Sequence, residues 1–144
     1  MATNQIFVNL AVNDLPAATS FFQALGYDIN PMFSNDSGTC VVLSDSLYVM
    51  LLVKPFFATF TDKEIIDPVT QVQVLNALGL DSRQEVDDWA EKALAAGGSE
   101  QRPAQDLGFM YSRHIADLDG HVWEPMWMDP AAVADGPGEV PSGV

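Results

Sequence analysis

The sequence predicts an α+β fold made of two βαβββ modules. Three observations carry this. A strand, a capped helix and three further strand-like pieces occur in that order twice. Each helix ends on glycine, at "ALG" (Ala24–Gly26) and "ALAAGG" (Ala93–Gly98). The two halves also close alike, "SDSLYVMLL" in the first and "LDGHVWEPM" in the second, which sets Met50 against Glu124. Repetition over half a chain is a stronger fold signal than any single motif.

The elements follow in order. "IFVNLAV" (Ile6–Val12) is rich in β-formers and reads as a strand. In "NDLPAATSFFQALGYD", Asp14 suits an N-cap, Pro16 the first turn and Gly26 the stop. Strand-like pieces follow at Tyr27–Phe33, Thr39–Ser44 and Leu47–Val53, separated by the turn clusters "SNDSG" and "SDS". "KPFFATFTDKEIID" reads as a loop or short helix with three phenylalanines that look exposed. The pattern restarts with the strand "VQVLNALGL" (Val72–Leu80). A helix follows with Asp81 or Ser82 as its cap and Val86, Trp89, Ala93 and Leu94 on one face. Three more strands are expected at Ser99–Arg102, Gly108–Asp117 and His121–Met128. If Asp81 is the counterpart of Asp14, counting back five places pairs Asn9 with Asn76. The expected folded region is residues 4–130, in modules of about 4–66 and 67–130. The tail 131–144 has little to bury and is expected to be disordered.

Composition narrows the function classes. There are 20 acids against 6 bases, a net charge of −14, so no nucleic acid and no anionic membrane is expected as a partner. The longest apolar run, "LYVMLLV", is too short to span a bilayer, and no targeting segment is visible. The expected location is cytoplasmic. The lone Cys40, within "TCVVL", reads as a small buried hydrophobe. No dinucleotide fingerprint, Walker loop or nucleophile elbow is present.

The opening "FVNLAVNDLPAATSFFQALGYD" and the ending "DLDGHVWEPMW" together resemble the vicinal oxygen chelate superfamily of glyoxalases, extradiol dioxygenases and bleomycin- and fosfomycin-resistance proteins. The resemblance spans residues 4–130 and implies paired half-barrels around a cavity, and a homodimer. It also implies metal ligands at Phe7, Met50, Val74 and Glu124, of which only Glu124 is a ligand type. A divalent metal needs His, Asp, Glu or Gln donors there. No cofactor is therefore expected; the alternative is a divalent metal built from Glu124 with His114 or His121.

Strand alternation supplies the rest of the candidate site. Phe7 and Asn9, Tyr48 and Met50, Val74 and Asn76, and Glu124 with Met126 are expected on cavity faces. That describes a mostly apolar small-molecule site with few polar points. A carboxylate among tryptophans and methionines is costly unless it is partnered. Glu124 is thus either a ligand-orienting acid or base, or a structural group paired with Arg113, Asn9 or Asn76. His121 reads as a turn residue, and the face of His114 is undecided. The expected function is a metal-free cavity protein of the glyoxalase/bleomycin-resistance type. The alternatives are a lyase, isomerase or dioxygenase relative, and a protein with a filled cavity acting through a partner. "KPFFATF", with Phe56, Phe57 and Phe60, is a candidate dimer contact, the alternatives being a hydrophobic lid or a hinge cover.

Overall fold

The computed structural model describes residues 1–135. Two four-stranded mixed sheets carry the fold, each with helices, in two βαβββ modules. The chain divides into two compact units. The first holds Met1–Val72 and also Asp117–His121; the second holds Gln73–Ala116 and the chain from Val122. No helix among the described residues is long and apolar enough to cross a membrane.

In the first unit, β1 (Ile6–Val12) and β4 (Leu47–Val53) pair in parallel, and β3 (Gly38–Val42) and β2 (Asp28–Asn35) extend the sheet antiparallel, in the order β1-β4-β3-β2. Helix α1 (Leu15–Ala24) starts where Asp14 accepts the Ala17 amide, with Pro16 in its first turn. Leu15, Ala18, Phe21 and Phe22 form its buried stripe. They pack on the sheet face that carries Leu10, Val12, Val41, Val49 and Leu51, all buried. A Thr19–Thr39 hydroxyl contact of 2.8 Å ties α1 to β3. The expected loop or short helix after β4 is α2 (Lys54–Phe57) with a 3-10 turn at Ala58–Phe60. Phe56 and Phe60 stack edge to face there and stay exposed, while Phe57 is half-buried.

The turn Asp117–His121 belongs to this unit because of what it bonds. Asp117 Oδ1 accepts the amides of Asp119, Gly120 and His121 at 3.0–3.1 Å. Asp119 Oδ1 accepts the Asn13 amide at 2.8 Å, and His121 Nε2 lies 2.8 Å from the Ala11 carbonyl oxygen. Gly120 presses on the Pro68–Val69 backbone at φ +101°. The "DLDGH" motif is thus a turn that closes on the end of β1.

In the second unit the order is β5-β8-β7-β6: β5 (Leu75–Gly79), β8 (Val122–Met128), β7 (Met110–Ala116) and β6 (Ser99–Asp106). Helix α3 (Arg83–Ala95) lays Val86, Trp89, Ala90 and Ala93 on the sheet, with Trp89 against Trp123. Its cap is Ser82, which accepts the Glu85 amide at 3.1 Å. Asp81 is not the cap; its own amide is held by the Glu85 carboxylate at 2.7 Å. The true counterpart of Asp14 is therefore Ser82, one residue later than the sequence reading assumed.

Arg83, in the first turn of α3, grips Asp106 with two hydrogen bonds of 2.8 and 2.9 Å and lies over the Tyr111 and Trp127 rings. The Arg83 hydrogen bond, then the Gly108 amide, hold the Asp106 carboxyl down at about 2, against an ordinary 3.8. A carboxyl lowered on folding adds stability above its unfolded pKa and loses it as pH falls through the folded value. Thermal melts should therefore drop between pH 4 and about 2, and Asp106→Asn should flatten that part of the profile. The group is exposed, so the drop should be small and shrink in high salt. An identical profile for both proteins would refute the assignment.

The expected tail differs at its start: Pro130–Asp135 form a short helix, α4. The rest of the tail lies outside the described residues.

Candidate functional site

Each sheet has one face on which its long helix, α1 or α3, packs, and a second face turned away from that helix; the candidate residues sort between them. On β1, Phe7 and Asn9 lie opposite Tyr48 and Met50, so all four share the face turned away from α1, as expected. Phe7 stacks on Tyr48 with ring centres 4.6 Å apart and planes 10° apart. The Tyr48 hydroxyl donates to the Asp45 carbonyl at 2.8 Å, so it serves its own turn and not a ligand. Asn9 donates to the Phe7 carbonyl. Cys40 sits beside Met50 on this face, buried, and burial pushes its thiol pKa up, which disfavours the nucleophilic thiolate.

In the second unit the expected set breaks at β5. Ala77 lies opposite Glu124 and Gly79 opposite Met126, while Asn76 lies opposite Trp123. Trp123 is buried against α3, so Asn76 is on the helix-covered face, where its amide donates to the Val122 carbonyl at 3.4 Å. Val74 precedes the strand and is exposed. Asn76 therefore does not match Asn9, and the two lie on opposite faces of their sheets. A one-residue slip in a strand moves every side chain across the sheet. Here the slip came from reading Asp81 as the cap. The pattern Ser82-x-x-Glu85 was the available signal, because a Ser/Thr followed three residues later by Glu marks a helix start. Counted from Ser82, the place matching Phe7 is Leu75, and Asn9 matches Ala77.

Glu124 and Met126 do share the face turned away from α3, together with Met110, Ser112 and His114 of β7 and Met128 of β8. The partner of Glu124 is His114, with Nδ1 3.6 Å from Oε1, and both side chains are largely buried. The pairing with Arg113 considered from sequence is not made. Arg113 is on the opposite face, where Asp87, Glu91 and Glu100 bind it at 3.2, 3.0 and 2.7 Å. Burial opposes its charge, but the hydrogen bonds it donates to Glu100, Glu91 and Asp87 outweigh that and raise its pKa. Tyr111 donates to Asp87 in the same cluster. His121 bonds Ala11 within the first unit, as a turn residue would.

The donor chemistry does not fit the family's metal set. After correction the four places are Phe7, Met50, Leu75 and Glu124, and three of these offer no hard donor. Glu124 and His114 supply one carboxylate and one imidazole. Among the described residues no group of three or more His, Cys, Asp or Glu is arranged to hold a metal.

Two comparisons agree with this fold. Residues 5–44 match the family described as bleomycin resistance protein-like N-terminal. A hypothetical protein from S. aureus is 25% identical over 88% of this chain and 95% of its own, with a TM-score of 0.73. A glyoxalase-related enzyme from Fulvimarina pelagi is 22% identical over 87% of this chain and 88% of its own, with a TM-score of 0.72. A fosfomycin resistance protein from Mesorhizobium loti is 15% identical over 93% of this chain and 99% of its own, with a TM-score of 0.68. No curated protein sequence matches significantly. Residues 5–44 are thus similar to the bleomycin resistance protein-like N-terminal family, and the chain shares its two-module βαβββ fold with these solved structures.

Proposed function

We propose that this chain binds a small molecule in the manner of a glyoxalase/bleomycin-resistance-like protein, without a resident metal, and that Glu124 is the polar anchor of the site. The observation that carries this reading is the placement of Glu124. It stands on a face of half-buried methionines, beside His114 at 3.6 Å and away from the arginine that could have neutralised it. A few polar groups on an apolar surface is the ordinary make-up of a ligand site.

The test pairs stability with binding. Small molecules carried through purification are identified by mass spectrometry and titrated into wild type and Glu124→Gln. The contact to His114 exceeds hydrogen-bond length, so the substitution should change stability by less than about 1 kcal/mol, while affinity falls at least tenfold. A costly substitution with intact binding would make Glu124 structural instead.

A second reading is an enzyme of the same superfamily, a lyase, isomerase or dioxygenase relative, with Glu124 as base. His114 supports it, because an imidazole beside a carboxylate can pass a proton on. Stoichiometric metal that Glu124→Gln releases would favour this reading over the first. We also propose a homodimer paired through "KPFFATF", since Phe56 and Phe60 present an exposed aromatic pair. Phe60→Asp should then lower the sedimentation coefficient to that of a monomer; a wild-type monomer at micromolar concentration would refute the pairing.

A further inference from the structure

The ladders set four residues in one line across the second sheet. Ala77 is opposite Glu124, Glu124 is beside His114, and His114 is opposite Arg102 on β6. Carboxylate, imidazole and guanidinium thus follow one another across three neighbouring strands. The matching line in the first unit runs Asn9, Met50, Cys40, Asn30 and carries no charge. The charged line is therefore not a demand of the fold.

Arg102 is unusual among the arginines. Arg83 is satisfied by Asp106, and Arg113 by Asp87, Glu91 and Glu100. Arg102 is exposed and makes no ion pair among the described residues, in a chain with 20 acids to choose from. Its strand is also irregular on both sides of it: the register with β7 shifts between Glu100 and Arg102, and again between Arg102 and Gln105. Bulges re-aim a side chain and concentrate next to binding sites. A regular β6 would present a different residue opposite His114.

We propose that Arg102 is the anion-binding residue of the site, so that the ligand is a small organic carboxylate. This deepens the small-molecule reading above and rests on it. A guanidinium takes a carboxylate through two parallel hydrogen bonds. The imidazole of His114 is the next donor along the line, and Glu124 accepts at the far end. Two strand spacings separate the β6 and β8 ends, about 10 Å. The ligand therefore carries its carboxylate at one end and a hydroxyl or amine donor at the other. Its apolar body lies between them, across His114, with Met126 the adjacent apolar side chain on β8.

The probes are 4-hydroxyphenylacetate and its neutral amide, followed by amide chemical shifts of the full chain. The acid should bind at least about tenfold more tightly than the amide and shift residues of β6, β7 and β8. Arg102→Gln should remove that preference, leaving the amide's affinity unchanged. Arg102→Lys should restore only part of it, because a lysine keeps the charge and loses the bidentate geometry. Arg102 is exposed, so neither variant endangers folding, and a melt of each confirms it. Equal affinity for acid and amide, or acid binding that survives Arg102→Gln, overturns the anion assignment while leaving the small-molecule reading in place. If neither probe perturbs this face, and Glu124→Gln leaves binding of the co-purified molecules unchanged, both fall together. If neither probe binds but those molecules are neutral and depend on Glu124, only the anion assignment falls.

Discussion

Gly120→Ala should cost about 2–5 kcal/mol of stability, a large share of a small domain's total. Two costs add. Gly120 holds φ +101°, a region that residues with a Cβ rarely enter. A Cβ there would also stand 2.8 Å from the Pro68 carbonyl carbon and oxygen and from the Val69 nitrogen. Those are backbone atoms, so no side chain can rotate aside. To relieve the clash the turn must lift, and the Asp119–Asn13 and His121–Ala11 bonds go with it. Denaturant midpoints of Gly120→Ala and Gly79→Ala make the comparison. An added Cβ at Gly79 meets nothing within 4 Å, so that variant should stay within about 0.5 kcal/mol of wild type. Similar midpoints for both variants would refute the role given to the turn.

Arg113→Met should cost about 2–4 kcal/mol, the second largest effect expected. Methionine keeps the volume of the stem and removes the charge that Asp87, Glu91 and Glu100 share. Losing one partner of a buried pair generally costs about 3–5 kcal/mol. The figure here is lower because the three acids keep side-chain exposures of 42, 66 and 35% and can turn to water. The native arrangement is also imperfect, since Arg113 Nε is buried with no hydrogen-bond partner. High salt should return part of the loss, because it screens the acids left facing one another. A variant as stable as wild type, or one indifferent to salt, would contradict this account.

The fold could be read because its signals were local and doubled. Ile6–Val12 and Leu47–Val53 were bounded correctly from β-formers and turn residues alone. Strand boundaries failed where burial was weak. The strand read as Val72–Leu80 is only Leu75–Gly79, and Val72 and Val74 are exposed apolar residues that imitate a strand. The site was legible in part. Phe7, Asn9, Tyr48, Met50, Glu124 and Met126 lie on the faces assigned to them. Val74 and Asn76 do not, because one wrong cap moved a whole strand across its sheet. His114 and Arg102 could not be placed, since their position depends on pairing between strands. Bulges in β6 change that pairing; Pro103 in "SEQRPAQD" marks a break in the strand but not which residue then faces His114.

The turn at Asp117–His121 also bears on how the chain acquires its structure. Asn13 finds its partner in Asp119, 106 residues further on, and Ala11 finds His121 110 residues further on. Closing contacts of that separation slows folding, because the entropy of a long loop must be overcome first. A ribosome adding about 5–20 residues per second would expose β1 and α1 several seconds before the turn exists to close on them. Through that interval Leu10, Val12 and Phe22 belong to an unfinished unit. A fragment ending at Val72 would remain in that state permanently. The first module is thus contiguous as a pattern in the sequence but not as a unit of folding, and its completion waits for a turn made 106 residues after Asn13.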